Sequence, residues 1–174
     1  MNFQEIYNEH KNRVYNLALN YVQNLEDAEE ITQDVFVTVY QSFHSFQENS
    51  ALQTWIYRIT INNALDFLKA KKRKKRFAFF TSIFYEDSND IKYNPPEFNH
   101  PGVLLEDKEA LENLFKKINT LPDKQKTALI LHKIEQKSQK EVAEIMTLSS
   151  KAVESLIQRA KINLSKKIET NEGK

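Results

Sequence analysis

Apolar residues recur at helical spacing from the first residues of the chain. Phe3, Ile6, Tyr7, Val14, Leu17, Ala18 and Tyr21 fall three, four or seven positions apart and share one stripe of a helix over 3–22. Asn24 then stands at an N-cap position, with Asp27 three residues on as a weak capping box. Ala28, Ile31, Val35, Val39 and Phe43 form the inner stripe of a second helix over 25–43, and Glu26, Asp27, Glu30, Gln33, Asp34 and Gln41 fill its other faces. Residues 44–50 read as a short polar loop. A third helix runs from Ala51 to Arg76 with Leu52, Trp55, Ile56, Ile59 and Phe67 as its core side. A helix of about 26 residues spans about 39 Å, so its end is expected to project past a small bundle.

The periodicity lapses over residues 77–106. Asn94-Pro95-Pro96 and Asn99-His100-Pro101-Gly102 concentrate breakers, so this stretch reads as a linker. Its start is aromatic: Phe79, Phe80, Ile83, Phe84 and Tyr85 are expected to pack on a module or meet a partner. Helical spacing returns near Glu106. Leu111, Leu114, Phe115 and Ile118 mark one helix, and Pro122 opens another that carries Ala128, Leu129, Leu131, His132 and Ile134. His132 reads as a boundary residue. Ser138 and Glu141 form a capping box for a short helix with Val142, Ala143 and Ile145. Met146-Thr147-Leu148 turns the chain. Ser149 caps a final helix with Ala152, Val153, Leu156, Ile157, Ala160, Leu164 and Ile168 at helical spacing. Two short helices joined by a tight turn are a helix-turn-helix pattern. On the second of them Ser150, Lys151, Glu154, Ser155, Gln158 and Arg159 face outward, toward base edges and phosphates if a major groove is the partner.

Composition favours an all-α fold, the length suits one medium domain or two small helical domains, and the distribution of charge suggests two. The chain has 174 residues and only two glycines, so it holds no Gly-rich phosphate loop. It has no cysteine, and its four histidines are far apart, so no metal site and no cofactor are expected. The polar start does not read as a signal peptide and no apolar run approaches the length of a membrane span, so a cytoplasmic protein is expected. The formal net charge of +1 hides four blocks: −5 over residues 1–65, +6 over 66–76, −6 over 77–112 and +6 over 113–174. The run Lys71-Lys72-Arg73-Lys74-Lys75-Arg76 suits contacts with an anionic partner such as phosphate more than a solvated helix end that favours the macrodipole, and such a run also fits a nuclear-localisation or membrane-surface segment.

These segments together resemble the extracytoplasmic-function (ECF) sigma factors of bacterial RNA polymerase. The resemblance lies in Phe3-Gln4-Glu5-Ile6-Tyr7, in Arg13 to Ala18, and in Glu26-Asp27-Ala28-Glu29-Glu30-Ile31-Thr32-Gln33-Asp34-Val35-Phe36. It continues through Thr54-Trp55-Ile56-Tyr57-Arg58-Ile59, Asn63 to Leu68, Leu121-Pro122 with Gln125-Lys126, and the helix-turn-helix ending Gln158-Arg159-Ala160. It implies a sigma region 2 three-helix bundle over 1–76, a linker over 77–106 and a sigma region 4 helix-turn-helix over 107–174. It implies no catalysis, and partners that include core polymerase, promoter DNA and an anti-sigma factor. Asp27, Glu30, Gln33 and Asp34 would dock on the clamp helices of the largest polymerase subunit. Ser50, Thr54, Tyr57, Arg58, Asn62 and Asn63 would read and melt the −10 element, with phosphate contacts from Lys69, Lys72 and Arg73. Ser150, Lys151, Glu154, Ser155, Gln158 and Arg159 would read the −35 element.

Melting needs a surface for an extruded base, and aromatic and amide side chains supply one. Trp55 fits that task and equally fits the centre of the first bundle. Three departures from the family pattern stand out. The turn has Thr147 where a glycine is common. Glu154 and Leu156 stand where basic residues are usual, which implies an altered or weaker −35 preference. The loop before the third helix lacks the usual glycine. The helix-turn-helix alone also fits an operator-binding regulator, and the helical modules alone fit an interaction protein that mimics sigma surfaces. Two such modules on a tether are expected to fold against each other when free and to separate on polymerase.

Overall fold

The computed structural model describes residues 2–46, 51–84 and 105–172, and every regular element among them is helical. The first module is a bundle of α1 (Phe3–Val22), α2 (Leu25–Ser42) and α3 (Leu52–Phe84), with one 3₁₀ turn at Phe43–Ser45. α1 starts in a full capping box: Asn2 accepts from the Glu5 N–H at 2.9 Å, and the Glu5 carboxylate accepts from the Asn2 N–H at 2.9 Å. Asn24 caps α2 by accepting from the Asp27 N–H at 2.8 Å. Ile6, Val14, Leu17, Ala28, Ile31, Val35, Val39, Ile56 and Ala64 close the core, each 2% exposed or less. The linker expected from residue 77 starts later, because α3 continues to Phe84. No glycine or proline interrupts that stretch, so nothing in the backbone stops the helix there.

The second module comprises α4 (Leu105–Ile118), α5 (Asp123–Leu129), a π-helical turn over Ile130–Ile134, α6 (Gln139–Met146) and α7 (Ser150–Glu172). Phe115, Leu121, Ala128, Ile130, Leu131, Val142, Val153, Ile157 and Ala160 are buried at its centre. Ser138 accepts from the Glu141 N–H, and the Glu141 carboxylate returns to the Ser138 N–H at 2.8 Å, so the expected capping box is present. The hydrogen bonds from Ser138 hold the Glu141 carboxyl below its ordinary pKa. His132 is half-buried, with Nδ1 2.8 Å from the Lys137 carbonyl.

The modules pack on each other, with α3 against α6. This explains burial that the amphipathic stripe of α1 does not foretell. Leu19, Asn20 and Tyr21 are all under 5% exposed, so the C-terminal end of α1 is enclosed around most of its circumference. Tyr21 donates to Thr127 Oγ1 at 3.0 Å, and Asn20 Nδ2 donates to Glu135 Oε1 at 2.8 Å. Gln23 ends α1 with φ 51°, a left-handed conformation that costs a non-glycine residue some strain. Its side chain donates to the Asn20 carbonyl and accepts from Asn119 Nδ2 at 2.6 Å.

His10 is buried in the first module, and burial is the largest influence on its pKa, which lies below 6.5; Arg13 lowers it further and Glu9 opposes. The unfolded chain therefore binds a proton at His10 before the folded chain does. Stability is expected to fall as pH drops through 6.5, and His10→Gln is expected to flatten that slope. Thermal melts of both proteins across this range check it, and parallel slopes would contradict it.

Candidate functional site

α2 turns one face inward through Ala28, Ile31, Val35 and Val39. The 3.6-residue period then puts Glu30, Gln33 and Asp34 on the outer face, and all three are exposed. Asp27 differs from the other three. It is partly buried, and its carboxylate is paired with Lys71 of α3. Val37 and Tyr40 lie on the same outer face, 54% and 65% exposed, and were not among the expected site residues. Tyr40 stacks edge-on against Phe3, with ring centroids 5.1 Å apart. Val37 falls four residues after Gln33 and three after Asp34, and Tyr40 three after Val37; exposed apolar residues at this spacing among polar ones were the available signal.

The candidate −10 residues on α3 divide into three groups. Thr54, Tyr57 and Arg58 contact the second module. The Tyr57 hydroxyl donates to Glu135 Oε2 at 3.1 Å. The Arg58 guanidinium donates to the carbonyls of Ile145 at 3.1 Å and Glu144 at 2.7 Å. Thr54 Oγ1 lies 3.4 Å from Glu144 Oε1. Tyr57 is only 5% exposed, and burial, followed by the Glu135 charge, raises its pKa well above the ordinary phenol value. Asn62 is exposed, while Asn63 donates to the Ile59 carbonyl of its own helix at 2.9 Å. Lys69, Lys72 and Arg73 are exposed beyond the bundle, Lys69 in an ion pair with Asp66 at 3.3 Å. Ser50 lies outside the described residues. Trp55 is half-buried at the bundle edge against Phe46, with centroids 5.0 Å apart, and the centre is taken by Ile56, Thr60 and Ala64 instead.

The helix-turn-helix is α6 and α7. Val142, Ala143 and Ile145 of α6 pack toward Val153, Ile157 and Ala160 of α7. Ser149 Oγ accepts from the Ala152 N–H at 3.2 Å and caps α7 as expected. Ser150, Lys151, Glu154, Gln158 and Arg159 are exposed along α7, Ser155 is partly buried, and Leu156 is half-buried toward the core. The Leu148 N–H donates to the Ala143 carbonyl at 2.9 Å across Thr147, whose φ is 56°. That is the left-handed helix end usually made by glycine.

Both modules match known protein families. Residues 6–74 match the model of sigma-70 region 2, and residues 111–164 match that of sigma-70 region 4. The ECF RNA polymerase sigma-E factor of Haemophilus influenzae is 30% identical, over 96% of this chain and 87% of that protein. The chain belongs to the ECF sigma factors. As such it is a non-catalytic initiation factor that binds core RNA polymerase and promoter DNA and directs transcription initiation. The ECF sigma factor SigW of Bacillus subtilis is 29% identical over 95% of this chain and 88% of that one. The sigma factor RpoE of Bartonella quintana, solved with the anti-sigma factor NepR, shares the fold with a TM-score of 0.61 and 19% identity, covering 96% of both chains. Among the described residues no helix is long and apolar enough to cross a membrane.

Thr147 occupies the turn between α6 and α7 at a φ of 56°. A β-branched residue at positive φ is strained, and glycine relieves that strain while loosening the unfolded chain. Thr147→Gly is expected to stabilise the protein by about 1 kcal/mol. Urea unfolding measures it, and a loss of stability would contradict the strain.

Proposed function

We propose that this sigma factor divides promoter recognition between its two modules, with region 2 over about residues 1–76 and region 4 over about 107–174. The outer face of α2 docks on the clamp helices of the largest polymerase subunit through Glu30, Gln33 and Asp34. One observation carries this assignment: these three residues share an exposed helix face whose opposite side is sealed in the core. Such a face can take a partner helix without disturbing the bundle. Asp27 holds Lys71 and so contributes by fixing α3 beside α2.

The N-terminal half of α3 reads and melts the −10 element. Tyr57 offers a ring for stacking, Arg58 a planar donor, and Thr54, Asn62 and Asn63 short polar groups for base edges. Ser50 belongs to the same expected set. Lys69, Lys72 and Arg73 add salt-dependent phosphate contacts on the projecting helix. Ser150, Lys151, Glu154, Ser155, Gln158 and Arg159 of α7 read the −35 element in the major groove. Glu154 suits the amino group of a cytosine and repels phosphate, so the −35 preference departs from that of basic relatives. The protein acts in the cytoplasm, where its polymerase is. The relationship to RpoE, which was solved with an anti-sigma factor, supports control of this chain by an anti-sigma factor as well.

The purified chain with core polymerase is expected to start transcripts at a cognate promoter. Asp34→Arg is expected to weaken core binding at least about tenfold, or about 1.4 kcal/mol, with an unchanged helical circular-dichroism spectrum. Fluorescence titration of labelled core checks it, and unchanged affinity would remove α2 from the docking face.

A further inference from the structure

We propose that the projecting end of α3 is a peripheral anchor for an anionic lipid bilayer, its cations meeting headgroup phosphates and its phenylalanines entering the interface beside them.

α3 is longer than its bundle requires. Ala64 is its last buried residue, every residue from Lys71 to Ala78 is exposed, and the helix continues to Phe84. The stretch past Ala64 is about 20 residues, so the end lies about 30 Å along the axis from the last core layer. Lys69, Lys72, Arg73 and Arg76 stand at i, i+3, i+4 and i+7 and share one side of the helix. Phe77 follows at i+8 and is 72% exposed. The same register runs on through positions 80, 83 and 84, which are phenylalanine, isoleucine and phenylalanine. Positions 78, 81 and 82 share the opposite side and are alanine, threonine and serine. One stripe of the helix is thus cationic in its first half and apolar in its second, backed in the second half by small and polar residues.

Charge and apolar surface together select the occupant. The chain carries a formal net charge of +1, so the +6 of residues 66–76 concentrates attraction to an anion at this end. Lys69 and Lys71 pair with Asp66 and Asp27, while Lys72, Arg73, Lys74 and Arg76 stand exposed. Phosphate alone accounts for the first half of the stripe and leaves the second without a task. Duplex phosphates offer nothing to an exposed phenylalanine, and single-strand platforms interleave rings with cations along the strand. Here rings and cations are separated along the axis. A bilayer surface presents anionic phosphate and acyl chains next to each other, and a basic cluster beside an aromatic one suits both. The apolar half covers only about 11 Å, too short to cross the hydrocarbon core, so attachment is peripheral and reversible. Anchoring does not depend on the promoter assignment of Lys69, Lys72 and Arg73, although either partner engages these residues.

The full chain is sedimented with vesicles of phosphatidylcholine alone, or of phosphatidylcholine and phosphatidylglycerol in about equal parts, at about 0.15 M salt. Binding to the anionic vesicles is expected to be at least about tenfold tighter than to the neutral ones. Phe77→Ser with Phe80→Ser is expected to weaken it at least about tenfold, and Phe77→Trp with Phe80→Trp to retain it. Lys74→Ser with Arg76→Ser, which leaves the rings in place, is expected to weaken it by about tenfold as well. A wild-type chain that ignores anionic vesicles overturns the anchor. Vesicle binding that the serine pair at 77 and 80 leaves unchanged also overturns it, and reduces the stripe to a polyanion site of the kind nucleic-acid phosphates fill. Binding unchanged by the loss of Lys74 and Arg76 removes the charge half and overturns it too.

Discussion

A side chain enclosed in one interface is not available to another, and the arrangement of this sigma factor turns on that exclusion. Tyr57 and Arg58 project from α3 into the second module, where their polar atoms are already satisfied. A strand that takes them must first displace acceptors of comparable chemistry. The outer face of α2, with Glu30, Gln33 and Asp34, is left uncovered by this packing. The α2 face and the α3 face thus differ in accessibility.

The seam between the modules is polar enough to open. Its identifiable ties are hydrogen bonds: the neutral ones, Tyr21 to Thr127 and Asn119 to Gln23, are worth about 0.5–1.5 kcal/mol net each, and those that involve the charged Glu135 and Arg58 about 1.5–3 kcal/mol each. It also encloses Lys126, 2% exposed and 5.6 Å from the centroid of the Tyr21 ring. Burial lowers the pKa of that lysine, Lys72 lowers it further, and Asp123 opposes. Its ammonium lies 3.9 Å from Asp123 and over the Tyr21 ring, contacts that offset part of the cost of holding a cation away from water. Asn119 adds a buried side-chain oxygen without a hydrogen-bond partner. Favourable ties and these costs together suit an interface that exists without being permanent.

The sequence is informative wherever a structural signal is local. The bounds of α1, the caps at Asn24, Ser138 and Ser149, and the turn at Thr147 follow from residues three to five positions apart. Asn2 with Glu5 had the same form and could have been read in the same way. Tyr57 is different, because its neighbour Glu135 is 78 residues away. Asp27 gives the same lesson: it sits in a helical acidic face by periodicity, but Lys71, 44 residues on, takes its carboxylate. One long-range feature did leave a trace. Asn20 interrupts the apolar run from Leu17 to Val22, and a polar residue so placed needs a partner, which here is Glu135.

The account stands or falls on whether the two modules meet in the free chain and part on the enzyme. Pulsed electron–electron resonance between spin labels on cysteines introduced at Thr38 and Lys161 reads this directly. A single short distance in the free protein, replaced by a longer one when core polymerase is added, is the expected result. The same distribution in both states would contradict it.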